Sequence, residues 1–385
     1  MKIEIVATCL FGLEKLLGEE IDALGLKRLE TIDGRVAFEG ELSDIPRANI
    51  FLRTAERIYI KMGSFPAKSF EELFEGVRAI RWEKYISRND AFPVKGHCIK
   101  STLFSVRDCQ SIIKKAISKR LGELYGISWF EETAVKYQIE FFIFKDVATL
   151  MIDTSGTPLH KRGYRPAAGE APLRETLGAA IAMTTRPRDS VLLWDPFCGS
   201  GTIVIEASMM MKGIAPGLKR RFAAEEFGII PRECWKNARE EARSMIKDTQ
   251  FEAWGSDIDE SVLEFARANA SRAGVDDSIR FFRADARKIE KPDRRGTLVC
   301  NPPYGERLMD EREVELLYKD IGKTFSTFEP WQMYILTSYE RFERLFGRRA
   351  DKIRKLYNGM IPCNLYQYFK PIGLDNGFSK KIDQK

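Results

Sequence analysis

Residues 190–202 read SVLLWDPFCGSGT, an apolar run that stops at an acid and turns through two glycines into the apolar segment TIVIEASMMMKG, residues 202–213. A strand that ends in a glycine turn and hands over to a helix is the βα step of a doubly wound sheet. Glycines at such a turn let backbone approach a ligand closely, and the unpaired N–H groups of the first helical turn suit a carboxylate. The string is not a dinucleotide fingerprint, because Val204 stands where a third glycine would be. The acid closing the strand suits a bound amine better than a pyrophosphate. Asp195, Pro196, Phe197, Cys198, Gly199, Ser200, Gly201 and Thr202 therefore form a candidate cofactor cradle, against the plainer reading of a tight turn with no ligand.

Six further short runs follow: FEAWGSD (251–257), IRFFRAD (279–285), GTLVCN (296–301), WQMYILTS (331–338), DKIRKLYN (351–358) and IPCNLYQYF (361–369). They alternate with helical patterns, which predicts a seven-stranded α/β sheet. Only Gly359 and Met360 separate the last two runs. That is a hairpin spacing, since parallel neighbours need a crossover of about a dozen residues or more. Six parallel strands and one antiparallel strand are expected.

Two more acids close the second and third runs. Asp257, followed by Ile258, is placed to accept from both hydroxyls of a ribose. Asp285, followed by Ala286, is placed to accept from an adenine amine. Either acid alone reads equally well as a helix N-cap; acids at three consecutive strand ends read as a site. The fourth run ends in Asn301, Pro302, Pro303 and Tyr304. An amine conjugated to a heterocycle is a poor nucleophile, and two acceptors aimed at its N–H bonds can reorient it. The Asn301 side-chain oxygen and the Pro302 carbonyl suit that task in a loop stiffened by two prolines. Tyr304 offers a ring on which an extruded base can stack, at about 1–3 kcal/mol per base.

Before residue 160 the patterning changes. MKIEIVAT, LFGLEKLLGEEIDAL and GRVAFEG predict an α+β unit over 1–55, and a second α+β unit follows over 56–160. The basic, Gly- and Pro-rich stretch containing HKRGYRP (160–166) leads into the α/β region that holds these motifs, 161–385. At 385 residues the chain exceeds a single core, so two or three domains are expected. Seven scattered cysteines without a CxxC pair and only two histidines argue against a disulfide framework, a zinc site or a His-based triad, so metal-free chemistry is expected. No apolar run approaches the roughly 18 residues of a membrane span, and a cytoplasmic protein is expected. The net charge of +6 leans mildly towards a polyanion. Cations cluster in 160–188 and again in 341–355, where phosphate contacts or a solvated face are equally good readings. Segment 214–250 is expected to be helical, with no function assigned.

DPFCGSGT, GSDID, ADA and NPPY in this order resemble the class I S-adenosylmethionine-dependent methyltransferases that act on amines, over residues 171–370. With HKRGYRP and APLRETLGAAIA, the layout resembles the branch in which a ferredoxin-like segment and an RNA-binding THUMP domain precede the catalytic domain, as in the bacterial large-subunit rRNA guanine-N2 methyltransferases of the UPF0020 type. The resemblance implies S-adenosyl-L-methionine as cofactor and RNA as partner, 23S rRNA or a large-subunit precursor, with guanine N2 as the acceptor. It also makes Lys161, Arg162, Tyr164 and Arg165 candidate RNA contacts. NPPY itself serves guanine and adenine alike, and tRNA remains an alternative substrate. A DNA adenine methyltransferase would need a sequence-reading insertion, a vestigial RNA-binding factor would not need an intact acid set, and an ATP-dependent thiolation enzyme would need an SGGxDS-type loop that is not present. The oligomeric state is not legible.

Overall fold

The computed structural model describes residues 2–165, 173–304 and 310–369. Pro166 of the basic stretch and Ala171 and Pro172 of the expected helix start lie outside the described residues. The elements, in chain order, begin with β1 (Ile3–Cys9), α1 (Glu14–Ala23), β2 (Lys27–Ile32), β3 (Arg35–Gly40), α2 (Asp44–Phe51) and β4 (Ala55–Pro66). Next come α3 (Phe70–Ala79), β5 (Val94–Ile99), α4 (Val106–Tyr125), β6 (Ile139–Phe144) and β7 (Val147–Asp153). The second half holds α5 (Glu175–Thr185), β8 (Leu192–Asp195), α6 (Thr202–Met211), α7 (Arg232–Ser244), β9 (Ala253–Asp257), α8 (Glu260–Ala273), β10 (Ile279–Arg283) and β11 (Gly296–Cys300). It ends with α9 (Glu311–Ser326), β12 (Gln332–Thr337), α10 (Phe342–Phe346), β13 (Lys352–Asn358) and β14 (Ile361–Tyr368). No helix among the described residues is long and apolar enough to cross a membrane.

Two compact units emerge. The first comprises residues 1–9, 14–160 and 216–243; the second comprises 10–13, 161–215 and everything from 244. In the first unit the two α+β segments that patterning separates near residue 55 share one seven-stranded sheet, in the order β2-β3-β1-β4-β7-β6-β5. The join is β4, whose 12 residues are long enough to pair with β1 near one end and with β7 further along. Segment 216–243 belongs to this unit although the sequence places it inside the catalytic span. Its helix α7 forms where expected and buries Trp235, Ala238 and Ala242.

The second unit is built on the other seven-stranded sheet, in the order β10-β9-β8-β11-β12-β14-β13. Strands β10, β9, β8, β11 and β12 run parallel, and β14 runs antiparallel to both β12 and β13. The six-plus-one expectation holds, and the hairpin turn falls at Gly359 and Met360. Sequence order turns back on itself between β8 and β11, the switch point at which open α/β sheets bind ligands beyond the strands' carboxyl ends. On one face α9 buries Val314, Leu317, Tyr318, Ile321 and Phe325 against β11, β12 and β14 residues such as Leu298, Ile335 and Tyr366. Local chemistry sets its start: Asp310 and Glu313 form a reciprocal capping box.

Candidate active site

Four neighbouring strands bring the expected residues to one edge of the second sheet. Asp195 ends β8 and pairs with Gly255 of β9, Asp257 ends β9 opposite Arg283 of β10, and Asn301 follows the last residue of β11. Asp285 lies two residues beyond the end of β10.

The glycine loop is held by its own backbone and by both neighbouring acids. Phe197 N–H donates to Asp195 Oδ1 at 3.0 Å, Gly199 N–H to Asp257 Oδ2 at 3.0 Å, and Cys198 N–H to the Ser256 carbonyl at 3.0 Å. Gly199 and Gly201 have φ of +50° and +83°, left-handed values that residues with a Cβ rarely take. A Cβ on Gly201 would also stand 3.1 to 3.3 Å from Ile205, Phe281 and Ala266. The Asn269 side chain, 3% exposed on α8, donates to the Ser200 carbonyl at 3.1 Å and ties the loop to the next helix. No motif marks Asn269; an asparagine among alanines on an amphipathic helix is the one available signal.

The acids differ in state. Asp195 is 2% exposed, and burial, reinforced by nearby Asp257, pushes its carboxyl well above the usual range. Asp257 accepts from Gly199 N–H and, at 3.1 Å, from Asp259 N–H, which uses two of a carboxylate's roughly four lone-pair sites and leaves the others open. Asp285 is clamped by Arg287, whose Nη2 lies 2.7 Å from Oδ2, and this guanidinium holds the carboxyl below its usual range. Ile258 is 55% exposed beside the acid of β9, while Ala286 is buried in the core.

The NPPY loop is anchored at two points. Tyr318 Oη donates to the Pro303 carbonyl at 2.9 Å and takes the Thr337 hydroxyl as a second partner at 2.8 Å, and Thr337 accepts from Tyr339 N–H at 3.1 Å. Tyr318 is fully buried. Tyr304 Oη accepts from Asn358 Nδ2 at 2.9 Å, and the Cys363 thiol lies 3.6 Å away, so the β13–β14 hairpin fixes the tyrosine ring. Burial raises the Tyr304 and Tyr318 hydroxyls well above the ordinary phenol range, which keeps both protonated. Between these anchors, Asn301 Oδ1 is buried and has no hydrogen-bond partner among the described residues. An orphaned buried acceptor costs about 1–3 kcal/mol and calls for an explanation. A donor arriving with a substrate supplies one.

The structure places the four candidate RNA contacts differently from one another. Arg162 and Tyr164 are each 4% exposed, and both reach Glu206 Oε1 inside α6, at 3.4 and 3.1 Å. Arg165 lies with its side chain 9% exposed, 2.8 Å from Glu175, and donates to Thr202 Oγ1 at 3.1 Å. These side chains face inward because two buried glutamates draw them there, so they are not open to phosphate; Lys161 is exposed. Arg341 and Arg348 of the later basic cluster are likewise paired, with Glu311, Glu315 and Glu329.

Comparison with known proteins gives the family. Residues 162–367 match the RMKL-like methyltransferase domain family, residues 4–59 the RlmL ferredoxin-like domain and residues 67–153 the THUMP domain. A relative named "Putative RNA methyltransferase YpsC", from Bacillus subtilis strain 168, is 43% identical over 96% of this chain and 97% of its own. The "Ribosomal RNA large subunit methyltransferase K/L" of Psychromonas ingrahamii is 34% identical over 93% of this chain, which spans only 49% of that protein. The crystal structure of SMU.472 complexed with SAH superposes with a TM-score of 0.91 at 40% identity, covering 96% of this chain and 98% of that one. The chain therefore belongs to the RMKL-like methyltransferase family, with a class I methyltransferase fold preceded by RlmL ferredoxin-like and THUMP domains.

Proposed function

We propose that this protein transfers a methyl group from S-adenosylmethionine to an exocyclic amine of a base in RNA, and that the base is guanine, at N2, in large-subunit ribosomal RNA. The carrying observation is the orphaned, buried Asn301 Oδ1 in a loop clamped by Tyr318 and Asn358. The substrate class is supported by the THUMP match and by relatives named for RNA and for large-subunit rRNA, although the chain spans about half the length of the K/L proteins.

The cradle fits the cofactor. The glycine loop leaves room for close backbone approach, Asp195 provides an anionic partner for an amine, and Asp257 keeps open acceptor sites for a ribose. A complex of one relative with SAH supports the same cofactor. The bound cofactor supplies an electrophilic methyl group. Asn301 accepts from one N–H of the base amine and the Pro302 carbonyl from the other, which turns the nitrogen lone pair out of conjugation. Tyr304 holds the base by its face. Rate enhancement then comes from positioning and from dipoles fixed before reaction.

Because the Asn301 acceptor works harder in the transition state than in the ground state, Asn301→Ala should lower turnover at least a hundredfold, about 3 kcal/mol, while RNA and cofactor affinity stay near wild type. Asn301→Asp should keep more activity than Asn301→Ala. Single-turnover transfer of labelled methyl to unmodified large-subunit rRNA, with nucleoside mass spectrometry, measures both points. Wild-type turnover in Asn301→Ala, or methyl on a ring carbon or ribose oxygen, contradicts the amine mechanism; label on N6 of adenine or on tRNA corrects the base or the RNA.

A further inference from the structure

The turn joining β13 to β14 has no role in the cradle or in amine orientation. β13 is parallel to β11, since each is linked through β14 and β12 by two antiparallel steps and one parallel one. Its carboxyl end therefore lies on the same edge of the sheet as Asn301. The last residue of β13, Asn358, touches Tyr304 directly. Gly359 and Met360 come next, and Met360 is 94% exposed, more than any other large apolar side chain among the described residues.

A single exposed apolar residue needs no explanation. Here the adjoining Ile361 is 40% exposed, and Phe11, whose ring meets Tyr357 edge-on at 5.8 Å, is 54% exposed. Lys355, three residues before the end of β13, is exposed and has no ion pair among the described residues, and its ammonium stands 5.7 Å over the Tyr357 ring. An apolar tip with a cation beside it is complementary to stacked bases beside a phosphate. The tip is also rigid, because seven cross-strand pairs and the Asn358–Tyr304 bond support it.

We propose that the β13–β14 turn is the wedge by which the protein opens its RNA: Met360 enters the base stack and fills the gap left by the target nucleotide as that base turns out onto Tyr304, while Lys355 holds a neighbouring phosphate. Turning a base out costs a few kcal/mol, and apolar side chains such as Met, inserted between base steps, are a recurring way to offset unstacking. One hairpin carries the wedge and braces the stacking ring, so entry of the first and capture by the second are mechanically linked. This inference rests on the base-amine reading above.

The test uses two synthetic RNA stems built around the nucleotide that mass spectrometry identifies in unmodified large-subunit rRNA: one with the target paired, one with an abasic site opposite it. Met360→Ala should lower the ratio of the paired to the unpaired single-turnover rate about tenfold relative to the wild-type protein. It should also abolish the rise in fluorescence of a 2-aminopurine placed beside the target. Lys355→Gln should reduce the slope of log affinity against log salt by about one. An unchanged ratio, or equal slowing on both stems, overturns the wedge; an unchanged salt slope overturns the phosphate contact. Wild-type protein that methylates neither stem overturns the proposed function itself. Met360 is almost wholly in solvent, so loss of fold does not confuse the result.

Discussion

A carboxylate buried as deeply as Asp195 is a liability until a cation joins it. Its folded-state pKa is raised, so the folded protein holds this proton more tightly than the unfolded chain does. The ionisation penalty is absent below the ordinary carboxylate range near about 4 and grows as pH rises towards the folded value. Asp195→Asn should therefore raise the melting temperature of the cofactor-free protein at pH 8 but not at pH 4, by about 2–4 °C per kcal/mol. The same variant should lose at least tenfold in cofactor affinity, because an amide cannot neutralise an ammonium. Calorimetry at both pH values reads both effects, and equal melting temperatures at pH 8 would show that the penalty is not real. Tyr318 belongs to the same scale. Tyr318→Phe removes the donor to the Pro303 carbonyl without opening a cavity, so the single-turnover rate should fall about tenfold or more while cofactor affinity and melting stay within error. Thr337→Ser keeps the hydroxyl and should keep the rate. A fall in cofactor affinity matching the fall in rate would instead mark Tyr318 as merely structural.

At the scale of elements, the strands were legible because each is a short apolar run closed by a turn, and the placing of the candidate acids was legible because they stand where those runs end. Direction was not legible. HKRGYR reads as a basic surface when charges are counted along a line, yet Arg162 and Glu206 pair at 3.4 Å with side chains 2% and 0% exposed. The signal sat 44 residues away, as one glutamate within the apolar helix TIVIEASMMM. Tyr318 escaped detection for a similar reason: on α9 it reads as one more apolar residue, and only the fold brings its hydroxyl to Pro303. The shared sheet of the first unit was hidden because a 12-residue strand can be divided between two neighbours in several ways. The buried pair makes its own prediction. Arg162→Met leaves Glu206 without its cation and should cost about 3–5 kcal/mol of stability. The salt dependence of RNA binding should not change, since this arginine does not face solvent. A reduced salt slope with unaltered melting would restore Arg162 to the RNA contacts.

At the scale of the whole molecule, segment 216–243 decides how the protein can be divided. It starts and ends in the second unit's chain yet is packed within the first, where Phe227 stacks on Tyr137 at 4.2 Å and Arg47 holds Glu241 at 2.9 Å. Gly217 N–H donates to the Ile50 carbonyl and Ala224 N–H to the Thr154 carbonyl, at 2.9 and 3.0 Å. A fragment beginning at residue 161 would therefore carry this segment stripped of its partners, with Phe227 uncovered, and should aggregate. The two ends of the excursion nearly meet, because Lys247 N–H donates to the Lys212 carbonyl at 3.0 Å and a Cβ on Gly213 would stand 2.2 Å from the Met245 carbonyl oxygen. Replacing 216–243 by a few glycines and serines between Ala215 and Ser244 should then give a monodisperse second unit that binds S-adenosylmethionine within about threefold of the full chain, because the cradle lies wholly in that unit. It should not methylate RNA at an appreciable rate, since the THUMP match lies in the part removed. Gel filtration, calorimetry and labelled methyl transfer compare the two fragments directly. A soluble fragment with 216–243 intact would mean that the packing within the first unit is dispensable, and full RNA methylation by the trimmed unit would move substrate binding into the catalytic domain alone.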